Sequence, residues 1–286
     1  SVRGIARDIA AAGIGKLKEL KIKKEKGNFV SDLKWLRNFN KEDNHLCSGV
    51  SGRFFKNLKN IESPEWLKRR LNLIGLRPIS SLVDITNFIT FDLGRPLHVY
   101  DADKISGNLT MRTAQKSEKC KTLNDKEYNL SSEMVVISDD KSLHGIGGIM
   151  GGLDSSCSLE TTNVFLEVAL FDPISVTRTG RKLNLQSDAR YRFERGVDSS
   201  SIEWGVDIAT QMIMDLCGGE VSEIVTDKIT NKEFKTIFYD FNLTKTHGGI
   251  EIDIEEQINI LEKLGFKCIN KKNLNIEIIV PTFRPD

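Results

Sequence analysis

Residues 163–171, NVFLEVALF, constrain the fold of this chain more than any other stretch. The run is rich in β-branched and aromatic side chains, which suit the pleated surface of a sheet, and it predicts a strand. One carboxylate, Glu167, stands inside it among apolar neighbours. If Glu167 points to the core face it must be paired or hydrogen-bonded, because an isolated buried charge is strongly disfavoured. Otherwise it faces solvent on an edge strand, or meets one of the arginines that follow between Ser175 and Arg195.

Other segments supply partners for such a strand. MVVIS (134–138) is a second buried-strand candidate, and residues 108–138 alternate short apolar runs with turn residues such as Asn124-Asp125, which predicts strands and a hairpin. SGRFF (51–55) has strand character. Helices are predicted over 5–12, ending near Gly13, and over 199–217, where Ile202, Val206, Ala209 and Ile213 share a face. A further helix starts at Ser63-Pro64-Glu65, with Ser63 as N-cap, and stops at Gly75. Near the C-terminal end, Asp253 with Glu256 resembles a capping box ahead of Ile254, Ile258 and Leu261, followed by a small hairpin or wing. Helices and strands are interspersed rather than strictly alternating, so the fold class is mixed α/β (α+β).

The stretch VDITNFITFDLGRPLHVYD (83–101) carries the clearest polar constellation. Val83 to Phe91 is β-branched and aromatic, which predicts a strand or a buried turn-strand, and Gly94-Arg95-Pro96 breaks it. His98 then sits just past a turn, near the end of the element that carries Thr86 and Asn87. Side chains at element ends commonly reach ligands. A capped strand with a satisfied histidine fits the same residues.

Five scattered cysteines without a CxxC pair point to reduced thiols in a reducing, cytoplasmic compartment. A net charge of +1 gives no global basic field for nucleic acid, although a local patch stays open. No apolar run approaches the roughly 18 residues of a membrane helix, so no membrane association is expected. The start, SVRGIARDIA, lacks Met, and both ends read as if cut from a longer polypeptide.

The glycines at 145, 147, 148, 151 and 152 do not make a dinucleotide motif, because Met150 stands where a glycine is needed, and no Lys-Ser/Thr pair follows for a phosphate loop. They predict either a strand–turn–strand with positive φ or a pocket wall that lets a ligand approach the backbone. Arg178, Arg181, Lys182, Arg190, Arg192 and Arg195 suit phosphates, or, with Asp188 and Glu194 among them, an internal ion-pair network.

Taken together, SPEWLKRRLNLIGLRPISSLVDITNFITFDLGRPLHVYD, GIMGGLDS, TTNVFLEVALFDP and SDARYRFERGVD resemble, in order, the editing module of the bacterial phenylalanyl-tRNA synthetase β subunit. The resemblance covers most of residues 46–222 and implies three parts. Residues 1–43 are the tail of a preceding domain and a Lys-rich linker, 44–225 the tRNA-editing domain, and 233–286 the start of a small winged-helix-like domain. It implies hydrolysis of tyrosine wrongly attached to tRNA(Phe). By motif position, Thr86, Asn87 and His98 are the catalytic candidates, and Glu167, Gly151, Gly152, Ala189 and Ser187 the substrate-binding ones. Ser187 stands where Thr is common and Arg190 where a small residue is common. Asp286 matches the first of a set of magnesium-binding carboxylates.

For the full enzyme the resemblance implies an α2β2 ligase that uses ATP and Mg2+, partnered by an α subunit and tRNA(Phe). No cofactor is expected in the editing site itself. The competing readings are a non-catalytic module that binds tRNA or an amino acid, and a structural domain that positions the α subunit.

Overall fold

A computed structural model describes residues 1–229, 234–272 and 274–285. They fall into two compact units, Lys21–Ile229 in one and Ser1–Leu20 with the described part of 230–286 in the other.

The chain opens with α1 (Val2–Ala11), then β1 (Trp35–Asn38), β2 (Cys47–Gly52) and β3 (Phe54–Lys56). Helices α2 (Glu65–Leu73) and α3 (Ser81–Leu93) lead to β4 (His98–Asp101). There follow β5 (Leu109–Thr113), β6 (Lys119–Lys121), β7 (Glu127–Asn129), β8 (Val135–Ser138), β9 (Leu143–Ile146), β10 (Met150–Gly151) and β11 (Val164–Phe171). Next come α4 (Pro173–Lys182), α5 (Asp188–Phe193), α6 (Ser201–Cys217), β12 (Glu220–Val221) and β13 (Val225–Lys228). The smaller unit adds β14 (Thr236–Asp240), α7 (Leu243–Thr246), α8 (Ile254–Lys263), β15 (Lys267–Lys272) and β16 (Asn275–Ile279).

In the larger unit the NVFLEVALF run is a strand, and a central one. β11 lies in a sheet of order β12-β3-β11-β2-β13, and β4 pairs with it as well. Its partners on both sides remove the edge-strand reading of Glu167. A second sheet runs β1-β5-β8-β9-β10, with β1 parallel to β5. β6 and β7 form the expected hairpin around Asn124-Asp125, where Asp125 takes a φ of 60°. Between the sheets Trp35 stacks on Phe165 at 5.0 Å, and its indole N–H donates to the Leu166 carbonyl at 3.0 Å.

β1 lies upstream of residue 44 yet pairs with β5, and Trp35 is buried in the core. The larger unit therefore takes in part of the stretch expected to be a leading tail and linker. Lys16–Lys26 carries neither helix nor strand.

The expected strand over Val83–Phe91 is a helix instead, α3. Leu82, Ile85 and Ile89 are fully buried at helical spacing, a stripe that β-propensity conceals. Asp84 is buried beneath the first turn, where its carboxylate accepts from the Ser63 hydroxyl at 2.6 Å and from the Ile79 N–H at 2.9 Å. That bond takes Ser63 away from capping, so α2 starts one residue late, with Pro64 at its N-cap. Gly94 ends α3 at a φ of 75°, a left-handed turn that glycine adopts without strain.

In the smaller unit β16 is the middle strand, between β14 and β15. Ile254, Ile258 and Leu261 of α8 pack on Phe241, Ile276 and Ile278. Asp253 is the N-cap position of α8 but makes no side-chain cap bond, so the capping box does not form.

At Gly52, β2 passes close to β11. A Cβ there would collide with the Leu166 carbonyl and approach the Trp35 indole nitrogen to 2.7 Å. Gly52→Ala is therefore expected to destabilise the larger unit by about 1–3 kcal/mol or more through overpacking. Urea unfolding followed by tryptophan fluorescence checks it; an unchanged midpoint would refute the close approach.

Candidate functional site

The pairing of β4 with β11 is antiparallel, with His98 opposite Glu167 and Tyr100 opposite Phe165. Side chains alternate along a strand, so these four lie on one face. This face forms a wall of a cavity of about 410 Å³. Asn87 enters from α3, Gly145, Gly148 and Gly151 from the β9–β10 hairpin, and Ser187 and Ala189 from the start of α5.

Glu167 is 8% exposed, and the Tyr100 hydroxyl donates to its Oε2. Burial pushes the Glu167 carboxyl up from an ordinary 4.5 to about 7, against the opposing pull of the Tyr100 bond and the Arg95 charge. Arg95 is itself fully buried; its Nη1 donates to the Ser201 hydroxyl at 3.1 Å and its Nη2 to the Ala169 carbonyl. Desolvation lowers its guanidinium to about 10, which leaves it charged at neutral pH.

His98 packs edge-to-face on Tyr100 at 4.5 Å. The residue keeps some exposure, but its Nε2 is shielded and has no hydrogen-bond partner among the described residues. Burial, with a smaller contribution from His144, lowers its pKa to about 4. The imidazole is thus neutral at pH 7, with a lone pair or an N–H to offer, depending on the tautomer. Gly151 makes room for it, since a Cβ there would collide with the ring. His144, whose ring lies 6.4 Å from that of Tyr100, meets Asp139 through Nε2 at 2.8 Å. Burial raises Asp139, but the backbone N–H groups of Ser106 and Lys141 and the His144 ring outweigh it and hold the carboxyl at about 2.

The cavity brings together Asn87, His98, Gly151, Glu167, Ser187 and Ala189. It does not take in Thr86 or Gly152. The Thr86 hydroxyl donates back to the Val83 carbonyl at 2.8 Å, within α3. The Gly152 N–H is spent on the His144 carbonyl at 2.7 Å, and a Cβ there would meet the His144 backbone at 2.8 Å. Gly152 therefore serves the close approach of β9 and offers no donor to a ligand. Ser187 lines the cavity, but its hydroxyl accepts from the Arg190 N–H and donates to the Ile149 carbonyl, capping α5.

Arg190 does not line the cavity. It is buried against Gly180, with Nη1 on the Leu185 carbonyl and Nε on Glu194. Arg195 shares Glu194 with Arg190, and Arg192 pairs with Asp188, which is the ion-pair reading for these three arginines. Asp286 lies outside the described residues, and among those described no three His, Cys, Asp or Glu side chains converge as a metal set. Tyr100 and Arg95 escaped the reading of the sequence. Tyr100 stands two residues beyond His98, the strand repeat that would have placed it on the same face.

A family model described as the B3/4 domain matches residues 46–218. A phenylalanine–tRNA ligase β subunit from Mesorhizobium japonicum is 45% identical over 286 residues, which is all of this chain and 35% of that protein. The one from Bartonella quintana is 46% identical over 285 residues, again 35% of its length. The chain thus spans about a third of the length of the curated relatives it matches. A crystal structure of an N-terminal fragment of the phenylalanyl-tRNA synthetase β-subunit from Pyrococcus horikoshii aligns with 99% of this chain and 77% of that one. Its TM-score is 0.42 and its identity 15%.

The raised Glu167 pKa has a consequence for stability. Between pH 4.5 and about 7 the folded carboxyl holds a proton that the unfolded one releases, so stability falls as pH rises through that window. His98, lowered to about 4, acts in the opposite sense between its folded and unfolded values, so a wild-type profile mixes the two. Glu167→Gln removes the carboxyl contribution alone. Relative to wild type, the variant is expected to gain on the order of 2–3 kcal/mol between pH 4.5 and 8. Urea unfolding of both proteins across that range checks it; parallel profiles would contradict the raised pKa.

Proposed function

The chain belongs to the B3/4 domain family, and from that premise we propose that its cavity hydrolyses a tyrosyl ester of tRNA(Phe) as part of a phenylalanine–tRNA ligase β subunit. The observation that carries this reading is the placement of Glu167 and His98 as direct cross-strand neighbours on the wall of one cavity.

Tyrosine and phenylalanine differ by one hydroxyl. An apolar pocket rejects an added hydroxyl by only about 10²-fold, whereas a site built to hydrogen-bond it rejects the analogue that lacks it by about 10⁴-fold. Glu167 supplies the acceptor. Its ionised carboxyl has two oxygens, and Tyr100 donates to one of them. A phenol reaching the other oxygen is satisfied, while phenylalanine leaves that oxygen without a donor in a desolvated site.

The hydrolytic step needs a positioned water and a donor for the oxygen that gains charge. His98, neutral and with its Nε2 unpartnered among the described residues, accepts a hydrogen bond from the water as its oxygen bonds to the ester carbonyl carbon. Asn87 donates to the developing oxyanion. The ester C–O bond then breaks, and the ribose oxygen leaves with a proton that originates in the water. The Thr86 hydroxyl proton and the Gly152 N–H are each spent on a backbone carbonyl, so neither is given the donor role here.

The ligase activity of the whole protein, its ATP and Mg2+, its α subunit and its tRNA belong to the same proposal. They rest on the similarity to the β subunits from Mesorhizobium japonicum and Bartonella quintana.

The test is a deacylation assay with Tyr-tRNA and Phe-tRNA on the assembled α and β subunits, with the isolated chain in parallel. Wild type is expected to cleave the tyrosyl ester selectively. His98→Ala should slow cleavage by about 10²–10⁴-fold. Glu167→Gln should lower the Tyr-to-Phe rate ratio by about 10-fold or more. Binding of both esters without cleavage would favour a non-catalytic module instead.

A further inference from the structure

Tyr100 is the one residue on this wall that already does to Glu167 what the ligand of the proposed reaction would do. Its phenol donates to Glu167 Oε2 from inside the protein. Tyr100 is 1% exposed, held against the Trp35 ring at 5.9 Å and the His98 ring at 4.5 Å. On β4 it stands two residues from His98 and therefore diagonal to Glu167 across the strand pair. A phenol so enclosed cannot leave to make way for a ligand.

We infer that Tyr100 is a positioning and specificity-determining residue, whose phenol occupies one oxygen of Glu167 so that the other alone reads the para-hydroxyl of the bound ester. This rests on the hydrolytic reading above and adds to it. With Oε2 fixed, the carboxyl cannot turn to satisfy itself on a water or on both sides at once, and the acceptor has one direction. Without the phenol, both oxygens compete for whatever donor enters, and a water can replace the ligand hydroxyl when phenylalanine is bound.

Several titratable and charged groups surround the pair. His98 flanks Tyr100 on β4, Arg95 precedes that strand and faces Glu167, and Cys47 approaches Glu167 from β2. Cys120 on β6 faces Tyr100, His144 on β9 lies 6.4 Å from the Tyr100 ring, and Asp198 faces Arg95. Of all of these, Tyr100 is the one hydrogen-bonded to Glu167 among the described residues. That bond favours the ionised carboxyl against the effect of burial. Deleting it moves the ionisation of Glu167 to higher pH, and with it the range in which the carboxylate can accept from a ligand.

The experiment is single-turnover deacylation of Tyr-tRNA and Phe-tRNA from pH 6 to 9 by the assembled subunits. It compares wild type, Tyr100→Phe, Glu167→Gln and the double variant. Tyr100→Phe is expected to lower the Tyr-to-Phe ratio at pH 7 on the order of tenfold. The midpoint of its pH dependence should move up, and no further loss should appear in the Glu167→Gln background.

If wild type itself shows no preference for the tyrosyl ester, the hydrolytic reading falls and the role of Tyr100 falls with it. If wild type is selective while Tyr100→Phe keeps the same ratio and midpoint, the inference about Tyr100 alone is overturned. Equal losses in both backgrounds also overturn it, because Tyr100 would then act independently of Glu167. Should Tyr100→Phe not fold, 3-fluorotyrosine at position 100 keeps the ring and strengthens the donor. The midpoint is then expected to move down, and an unmoved midpoint counts against the inference.

Discussion

The register of β4 on β11 is the constraint on which everything else in the larger unit depends. Side chains on a strand alternate between faces, so a slip of one residue would send His98 and Glu167 to opposite sides of the sheet. The register is held from several directions. β11 pairs with β2 and β3 as well as β4, Trp35 bonds the Leu166 carbonyl, and Gly52 admits that contact by having no side chain. Arg95, fully buried just before β4, ties the strand to the Ala169 carbonyl of β11. A site assembled on the middle of a sheet in this way is positioned by the core rather than by a loop.

Desolvation does the electrostatic work. It drives Glu167 up and His98 down, so each is pressed toward its neutral form at the same wall. The Arg95 charge and the Tyr100 phenol pull Glu167 back toward ionisation, which leaves it poised near neutrality with little free energy separating its two states. Such a carboxyl responds strongly to one more donor. A ligand hydroxyl that reaches it shifts the balance, and a ligand without one cannot.

Much of this was legible in the residues. NVFLEVALF announced a strand, and a carboxylate inside it announced either an edge or a paired buried group; the pairing on both sides of β11 decided for the second. The hairpin at Asn124-Asp125 and the helix expected over 199–217, found at Ser201–Cys217, were equally plain. Val83–Phe91 was not, because its β-branched residues mimic a strand. The helical stripe of Leu82, Ile85 and Ile89 gains its meaning only from packing on neighbouring helices. Within the candidate site, residue types could mark Thr86 and Gly152, but not that a helix carbonyl and a neighbouring strand would claim their polar groups. Arg190 reads as a pocket residue by position, yet Gly180 opens a slot that draws its side chain away. Tyr100 was hidden for the opposite reason: a tyrosine in HVYD looks like ordinary core until the strand repeat aligns it with Glu167.

The most direct test is a crystal structure of the protein with a non-hydrolysable amide analogue of 3′-tyrosyl adenosine. The expected result is a phenolic oxygen within about 2.5–3.0 Å of the Glu167 carboxyl oxygen that Tyr100 leaves open, with the analogue's carbonyl beside His98 and Asn87. An aromatic ring seated elsewhere, or a phenol turned to solvent with Glu167 contacted by Tyr100 alone, would contradict it.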